Sequence, residues 1–161
     1  MSVINIDRNN IFLVENFIKE LKKNEASKTF RYFSKRTIDV LRNHVLTLIL
    51  KEDKEDKNND AIIGYAHLDK ENEENEENEE NEENEENEDN IWFGVCILDK
   101  YQGKGYGKIL IEKVLKEAKA KEIKKIKLSV DEQNSKAYLM YKKYGFEVVR
   151  KKNDIIYMEL Q

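Results

Sequence analysis

The segment from Ile91 to Gly107, IWFGVCILDKYQGKGYG, decides the fold prediction because an apolar run leads directly into a glycine-rich turn. Its first part, Ile91 to Leu98, has the continuous apolar character of a buried central strand. The turn, Gln102 to Gly107, contains three of the six glycines in the chain. Glycine lets successive backbone N–H groups point into one concavity and lets a ligand approach closely. The pattern indicates a phosphate or pyrophosphate site, with a plain tight turn between strand and helix as the alternative.

The turn is followed by the clearest helical pattern of the chain, from Gly105 to about Lys121. Lys and Glu fill the side opposite a predicted inward face, which consists of Ile109, Ile111, Val114, Leu115 and Ala118. A helix start offers an anion unpaired N–H groups and the positive end of the helix dipole. Lys104 and Lys108 add formal charge at the same place. Strand, turn and helix together favour pyrophosphate binding.

Two better-known phosphate motifs do not fit this turn. A dinucleotide-binding fingerprint needs a third glycine where Lys108 stands, and it should open the domain. A P-loop needs glycine at Gln102 and serine or threonine at Ile109. The sequence therefore excludes both classes of nucleotide site at this position.

The rest of the chain alternates strand and helix patterns, which predicts one mixed α/β domain over residues 1–161 with six to seven strands and about four helices. Strand patterns lie at Val3 to Ile6, Val45 to Leu50, Ala61 to Leu68, Lys125 to Val130, Phe146 to Arg150 and Ile155 to Leu160. Further helix patterns lie at Ile11 to Leu21, Phe30 to His44 and Ser135 to Tyr144.

The charge is unevenly distributed along the chain. Glu71 to Asn90 is an Asn-Glu-Glu repeat with 13 acidic residues, and without it 20 acidic residues face 29 Lys and Arg, about +9 overall. The repeat has no apolar residue, so we expect a disordered loop, 71–90, inserted between two strands. Lys51 to Asp60 is a second polar loop. The basic remainder suits an anionic ligand.

Several classes of protein are not indicated. No apolar stretch is long enough to span a membrane, and the N-terminus lacks the features of a signal peptide. The single cysteine, Cys96, suits a reducing compartment and is expected to be an inert core residue. Cytoplasmic residence is therefore predicted, with the nucleus not excluded. His44 and His67 have no neighbours at ligand spacing, so no metal site is predicted.

The motif Gln102-Gly103-Lys104-Gly105-Tyr106-Gly107 matches Gln/Arg-x-x-Gly-x-Gly/Ala, and a second set of residues follows at the family's distance: Asn134, Ala137, Tyr141 and Gly145-Phe146. On these motifs the chain resembles the GNAT acyltransferase superfamily over Ile91 to about Phe146. The first 50 residues resemble it only in the order of elements.

The resemblance implies an acetyl-CoA-dependent N-acetyltransferase in which a primary amine attacks the thioester directly in a ternary complex. The strand around Val95 and Ile97 then pairs with pantetheine, and Gln102 to Gly107 binds the pyrophosphate, with Lys108 nearby. Asn134 contacts the cofactor arm. Tyr141 resembles the general acid that protonates the departing thiolate.

Two departures from the family pattern leave the general base open. Asp99 stands where many members have proline, and Ile91 to Leu98 contains no acidic residue. Ordered water and His67 are the two candidates.

The acceptor prediction depends on a basic cluster, Lys28, Arg31, Lys35 and Arg36, in the region that borders the acceptor site in the resembled family. Arg31 and Arg36 suggest a small anionic amine such as an amino-sugar phosphate. For the basic cluster, the alternative is a solvated helix face without a ligand. For the acceptor, the alternative is a protein N-terminus or lysine. For the function as a whole, the alternative is a CoA-binding module without catalysis. A small-molecule acceptor is favoured over a protein, and neither a nucleic-acid nor a membrane partner is indicated. The sequence is compatible with a homodimer. The acidic repeat is expected to be passive, the alternative being recruitment of a basic peptide.

Overall fold

The computed structural model describes residues 1–53, 61–70 and 90–161. The strands are β1 Ser2–Asn5, β2 His44–Lys51, β3 Ile62–Asp69, β4 Trp92–Ile97, β5 Ile126–Asp131, β6 Glu147–Lys152 and β7 Ile155–Leu160. The α-helices are α1 Phe12–Leu21, α2 Tyr106–Ala120 and α3 Ser135–Lys143. Short 3₁₀ helices span Glu25–Lys28, Tyr32–Ser34, Ile38–Asn43 and Asp99–Tyr101. The predicted mixed α/β architecture is confirmed.

The strands form one seven-stranded sheet in the order β1-β2-β3-β4-β5-β7-β6. Neighbouring strands are antiparallel except β4 and β5, which are parallel. That parallel ladder has a single registered pair, Trp92 with Lys127, whereas β3 and β4 have six. The middle of the sheet therefore opens into a gap between β4 and β5.

The two faces of the sheet have different covers. Residues directly opposite each other on antiparallel strands share a face, so Tyr65 and His67 of β3 lie on the same face as Cys96 and Gly94 of β4. Helix α1 covers this face, where the Phe17 ring stacks on Tyr65 with centroids 4.9 Å apart. Helix α2 packs against the opposite face.

The buried face of α2 differs slightly from the predicted one. Leu110, Ile111, Val114 and Ala118 are buried, whereas Ile109 and Leu115 are only partly buried. The fully buried stripe follows the four-residue spacing 110, 114 and 118, which runs along one side of a 3.6-residue helix. The predicted helix is confirmed. Ile111, Val114 and Ala118 are buried as predicted, and Leu110 is buried in place of Ile109.

The predicted helix from Phe30 to His44 is wrong. The structure has two 3₁₀ helices there, Tyr32–Ser34 and Ile38–Asn43, after an earlier one at Glu25–Lys28. Phe30 and Phe33 both contact Tyr65, and Tyr32 reaches His67. In an α-helix positions 30 and 32 would point to nearly opposite sides, so packing of all these rings on one sheet face excludes it.

The acidic repeat, except Asn90, and most of the second polar loop lie outside the described residues. The predictions for both therefore stay predictions, as do a homodimer and cytoplasmic residence. No helix in the described ranges is long and apolar enough to cross a membrane. The same ranges contain no group of three His, Cys, Asp or Glu residues that could hold a metal ion.

Candidate active site

The backbone of β4 faces the gap at the two predicted positions. Lys127 of β5 donates its N–H to Ile91 O at 2.8 Å, and Leu98 N–H donates to Ile63 O on the β3 side at 2.9 Å. Because backbone groups alternate direction along a strand, Val95 and Ile97 direct their N–H and C=O groups toward β5. Past the single registered pair, β5 supplies no ladder partner for them in the described part of the chain. The gap can therefore receive an extended, amide-bearing ligand.

The glycine turn needs its glycines for conformational reasons. Gly103 and Gly105 have φ of +75° and +86°, in the left-handed region that side chains disfavour. A Cβ at either position would meet nothing within 4 Å. Glycine is therefore required here by the positive backbone φ and not by a lack of room for a side chain. Helix α2 begins directly afterwards, and the N–H groups of its first turn have no intrahelical partner. Exposed Lys104 and Lys108 flank this turn, which together suits a pyrophosphate.

Gln102 fixes this loop to the strand. Its Nε2 donates to Ile97 O at 2.9 Å, which brings the start of the loop against the open edge of β4. The Gln102 side chain therefore supports the site by holding the loop, and the backbone of the turn is left to contact a ligand.

Asp99, a departure from the family pattern, ties the loop to the N-terminal half. Its carboxylate accepts the N–H groups of Glu25 at 2.6 Å and Ala26 at 2.9 Å. The Asp99 N–H donates to Asn24 Oδ1 at 2.8 Å. A proline at this position could not donate that hydrogen bond. Sequence reasoning missed this anchor, because nothing local relates residues more than 70 positions apart.

Tyr141 of α3 is buried beside β4. Its ring centroid lies 6.0 Å from that of Phe93 and 5.9 Å from that of Phe146. Burial, with a smaller contribution from Cys96, raises the pKa of Tyr141 well above its ordinary value. Among the described residues its hydroxyl has no hydrogen-bond partner, although buried tyrosine hydroxyls usually have one. A neutral, unpaired phenol is available here as a proton donor.

Asn134 begins α3 as its N-cap. Its Oδ1 accepts the Ala137 N–H at 3.4 Å, which leaves the amide nitrogen without a hydrogen bond to the described residues. The start of α2 packs against the middle of α3, because a Cβ on Gly107 would lie 3.4 Å from Met140 Sδ. The structure thus places Tyr141, next to Met140 in α3, close to both the glycine turn and β4, and Asn134 at the start of the same helix.

The two predicted acceptor-site arginines already have protein partners. Arg31 Nη2 lies 3.4 Å from Asp131 Oδ2 at the end of β5. Arg36 donates from Nη1 to Tyr32 O at 2.9 Å, and its guanidinium carbon lies 4.4 Å from the Tyr32 ring centroid. Their role in binding an anionic acceptor stays a prediction.

A buried polar cluster under Tyr32 was not predicted. The Tyr32 hydroxyl donates its one proton to the fully buried Asp69 carboxylate, so His44 Nε2 must be the donor in its 2.7 Å hydrogen bond to Tyr32. His44 Nδ1 then accepts from Thr47 Oγ1 at 2.8 Å. Burial, and secondarily Arg36, lowers the pKa of His44 to about 4. Tyr32, His44 and Asp69 belong to separate parts of the sequence, so no local pattern predicts that they meet. The only sequence signal is the two-residue spacing of His67 and Asp69, which places both on one face of a strand.

Cys96 is a buried free thiol. Burial, with a contribution from Asp99, raises its pKa to about 12. Since the thiolate is the nucleophilic form, an acyl-cysteine intermediate is disfavoured, in agreement with the predicted core role.

One cavity, of about 670 Å³, lies at the end of α2 away from the glycine turn and is lined in part by Leu115, Ala118, Ile126 and Leu160. It contacts none of the predicted site residues. The site described above is a gap in the sheet between β4 and β5.

Comparison with known proteins identifies the class to which this fold and site belong. The model of the acetyltransferase (GNAT) family matches residues 11–146, and the chain belongs to that family. The [ribosomal protein bS18]-alanine N-acetyltransferase of Haemophilus influenzae is 44% identical over 57 residues, which cover 35% of this chain and 38% of that relative. The chain thus matches well under half of the relative's length.

Solved structures share the whole fold at low identity. The putative acetyltransferase yncA from Salmonella typhimurium, solved with its cofactor acetyl-CoA, has a TM-score of 0.69 and 16% identity, covering 100% of this chain and 93% of that one. The GNAT domain of PAT from S. lividans has a TM-score of 0.68 and 15% identity, covering 98% and 88%. At these identities the likeness shows the fold alone.

Proposed function

We propose that this chain is an acetyl-CoA-dependent N-acetyltransferase that acetylates the α-amino group of a peptide or protein N-terminus, and that the amine attacks acetyl-CoA directly in a ternary complex. The strongest support is the gap between β4 and β5, where the backbone groups of Val95 and Ile97 face an open edge. Tyr141, with its unpaired hydroxyl, is buried beside the same strand.

In this proposal each predicted residue has a defined task. The N–H groups of the glycine turn and the start of α2 bind the CoA pyrophosphate, with Lys104 and Lys108 adding charge. A β4 amide at Val95 stabilises the negative charge that develops on the thioester oxygen. As the C–S bond breaks, Tyr141 gives its proton to sulfur, which makes the thiol a better leaving group. Asn134 positions the cofactor arm through its free amide nitrogen.

The acceptor assignment uses the charges around the gap. Arg31 is neutralised by Asp131, and Arg36 is packed on Tyr32, so neither guanidinium is positioned as a free receptor for phosphate. The Asp131 carboxylate, at the end of β5, balances the charge of Arg31, so this pair adds no net positive charge that would attract an anionic acceptor. The Haemophilus relative is by name an alanine N-acetyltransferase that acts on a ribosomal protein. Both observations favour an N-terminal amine over the anionic amine that the basic cluster with Arg31 and Arg36 suggested.

The experiment is mass spectrometry of products from a panel of acceptors incubated with acetyl-CoA. The panel contains peptides with a free N-terminus, N-terminally blocked peptides with an internal lysine, amino-sugar phosphates and polyamines. We expect acetyl on the α-nitrogen of the free peptides. A higher kcat/KM for an amino-sugar phosphate would support the anionic acceptor instead. Acetyl-CoA binding without any product would indicate a binding module.

A further inference from the structure

His67 and Gly94 are in unusually close contact across β3 and β4. The two residues are directly opposite in the antiparallel ladder, so they share the sheet face covered by α1 and the Tyr32–Ser34 segment. A Cβ on Gly94 would lie 2.6 Å from His67 Cε1 and 2.7 Å from Nε2. The imidazole edge therefore occupies the space where a β4 side chain would stand, and only glycine permits this approach.

The Nε2 atom of His67 has no hydrogen-bond partner within residues 1–53, 61–70 and 90–161. Nδ1 lies 2.7 Å from the Tyr65 hydroxyl, and the residue is only 3% exposed. A buried polar atom without a partner is unfavourable and commonly marks the position of a ligand or water. Gly94 directly precedes Val95, whose backbone faces the gap. The unpartnered Nε2 atom is thus one residue along β4 from the proposed path of the thioester.

The groups around His67 keep it uncharged. Burial is the main cause that holds the pKa of His67 well below its ordinary value, followed by the charges of His44 and Arg36. The neighbouring ionisable groups are Tyr65 on the same strand, Tyr32 with a centroid distance of 4.2 Å, His44 at 4.8 Å, Asp69 at the end of β3, Arg36, and Cys96 on β4. A neutral imidazole near pH 7 has one nitrogen lone pair available for a proton.

We propose that His67 is the general base, and that its Nε2 takes a proton from the acceptor ammonium group when that group reaches β4 beside Gly94 and Val95. The proposal rests on amine acetylation as the function. In the reactive tautomer Nδ1–H donates to the Tyr65 oxygen, which leaves the Nε2 lone pair free. The N–H bond breaks, its electron pair stays on nitrogen, and that pair forms the bond to the thioester carbon.

The remaining protons balance without a further reagent. After attack, the C–S bond breaks and Tyr141 gives its proton to sulfur. After the C–N bond has formed, the nitrogen still carries one proton more than the neutral amide. That proton passes to the Tyr141 oxygen and restores its hydroxyl. The products are the acetylated amine, the CoA thiol and protonated His67, which returns its proton to solvent.

The test is the pH profile of kcat/KM for a peptide whose α-amino group has a pKa near 8. With an internal base, the wild-type profile should be level between pH 6 and pH 8. His67→Gln must use amine that is already neutral, so its kcat/KM should fall about tenfold per pH unit below 8, or about 100-fold between pH 8 and pH 6. The deficit against wild type should largely vanish at pH 9.

His44→Gln is the matched control, because it removes the other buried imidazole of the cluster, which does not face Gly94. It should change the rate by a similar factor at every pH. A deficit of His67→Gln that is equal at pH 6 and pH 9, with unchanged acetyl-CoA affinity, would overturn the proposal. If His67→Gln does not fold, the wild-type profile decides, since a tenfold loss per unit below pH 8 contradicts an internal base. Absence of any acetylated amine would instead refute the proposed function.

Discussion

Arg31 and Asp131, 100 positions apart in the chain, form an ion pair with 3.4 Å between Nη2 and Oδ2. The next residue after Arg31, Tyr32, packs on His67 of β3, whereas Asp131 ends β5. Because β4 lies between β3 and β5, the pair crosses over the strand that borders the gap. It closes one side of the region where the acceptor is proposed to bind.

Removal of the Arg31 charge should change KM in opposite directions for a cationic peptide acceptor and for an anionic amino-sugar phosphate. The Arg31 side chain is 56% exposed, so Arg31→Gln should change the free energy of unfolding by less than about 1 kcal/mol. The freed Asp131 carboxylate should lower KM for a cationic peptide several-fold and raise KM for an amino-sugar phosphate. Steady-state kinetics with both acceptors measures this. Asp131→Asn should shift both KM values in the opposite direction, and a parallel shift for the two acceptors would contradict the charge argument.

Gly105 and Gly107 should respond differently to alanine. Gly105→Ala places a Cβ at φ +86°, so we expect a loss of about 1 kcal/mol in unfolding free energy and weaker acetyl-CoA binding. Gly107 lies in the first turn of α2 without a positive φ, and its added Cβ would make ordinary contact with Met140. Gly107→Ala should therefore stabilise the fold by up to about 1 kcal/mol. Urea denaturation and calorimetric titration test both, and equal destabilisation would mean that conformation is not the reason for Gly105.

Tyr141→Phe should separate chemistry from stability. The hydroxyl has no partner among the described residues, so its removal should change the free energy of unfolding by less than about 1 kcal/mol. Loss of a general acid should lower kcat by about 100-fold or more, with little change in the dissociation constant of acetyl-CoA. Single-turnover rates and titration calorimetry give the two quantities. An unchanged kcat would remove Tyr141 from the proposed mechanism.

Local signals in the sequence were sufficient for the cofactor side of the fold. Gln102 to Gly107 lies between a continuous apolar run and a long amphipathic pattern, and each of these features is visible within about 30 residues. The positive φ of Gly103 and Gly105 follows from the same local chemistry. Their agreement in the structure reflects consistency between propensity, pattern and turn residues.

The acceptor side depends on contacts that are distant in sequence. The apolar spacing around Phe30 and Phe33 predicted a helix. Both rings instead pack on Tyr65, and the chain forms short 3₁₀ helices there. Arg36 was expected to face an anion, but it packs over Tyr32. The close approach of His67 to Gly94 depends on the β3–β4 register. None of these arrangements leaves a periodic or local signal, so they become visible only once the strands are paired.

Acid should weaken the fold through His44. Burial lowers its folded pKa to about 4, below the ordinary value of 6.5, so the unfolded state binds the proton more readily. Stability from this group is present above pH 6.5 and is lost as pH falls toward 4. A difference of this size corresponds to roughly 3 kcal/mol. Urea denaturation at pH 7.5, 6, 5 and 4.5 should show the decline, and His44→Asn should show a shallower one. Since buried His67 acts in the same direction, some slope remains in that variant, whereas equal slopes in both proteins would mean that His44 titrates normally.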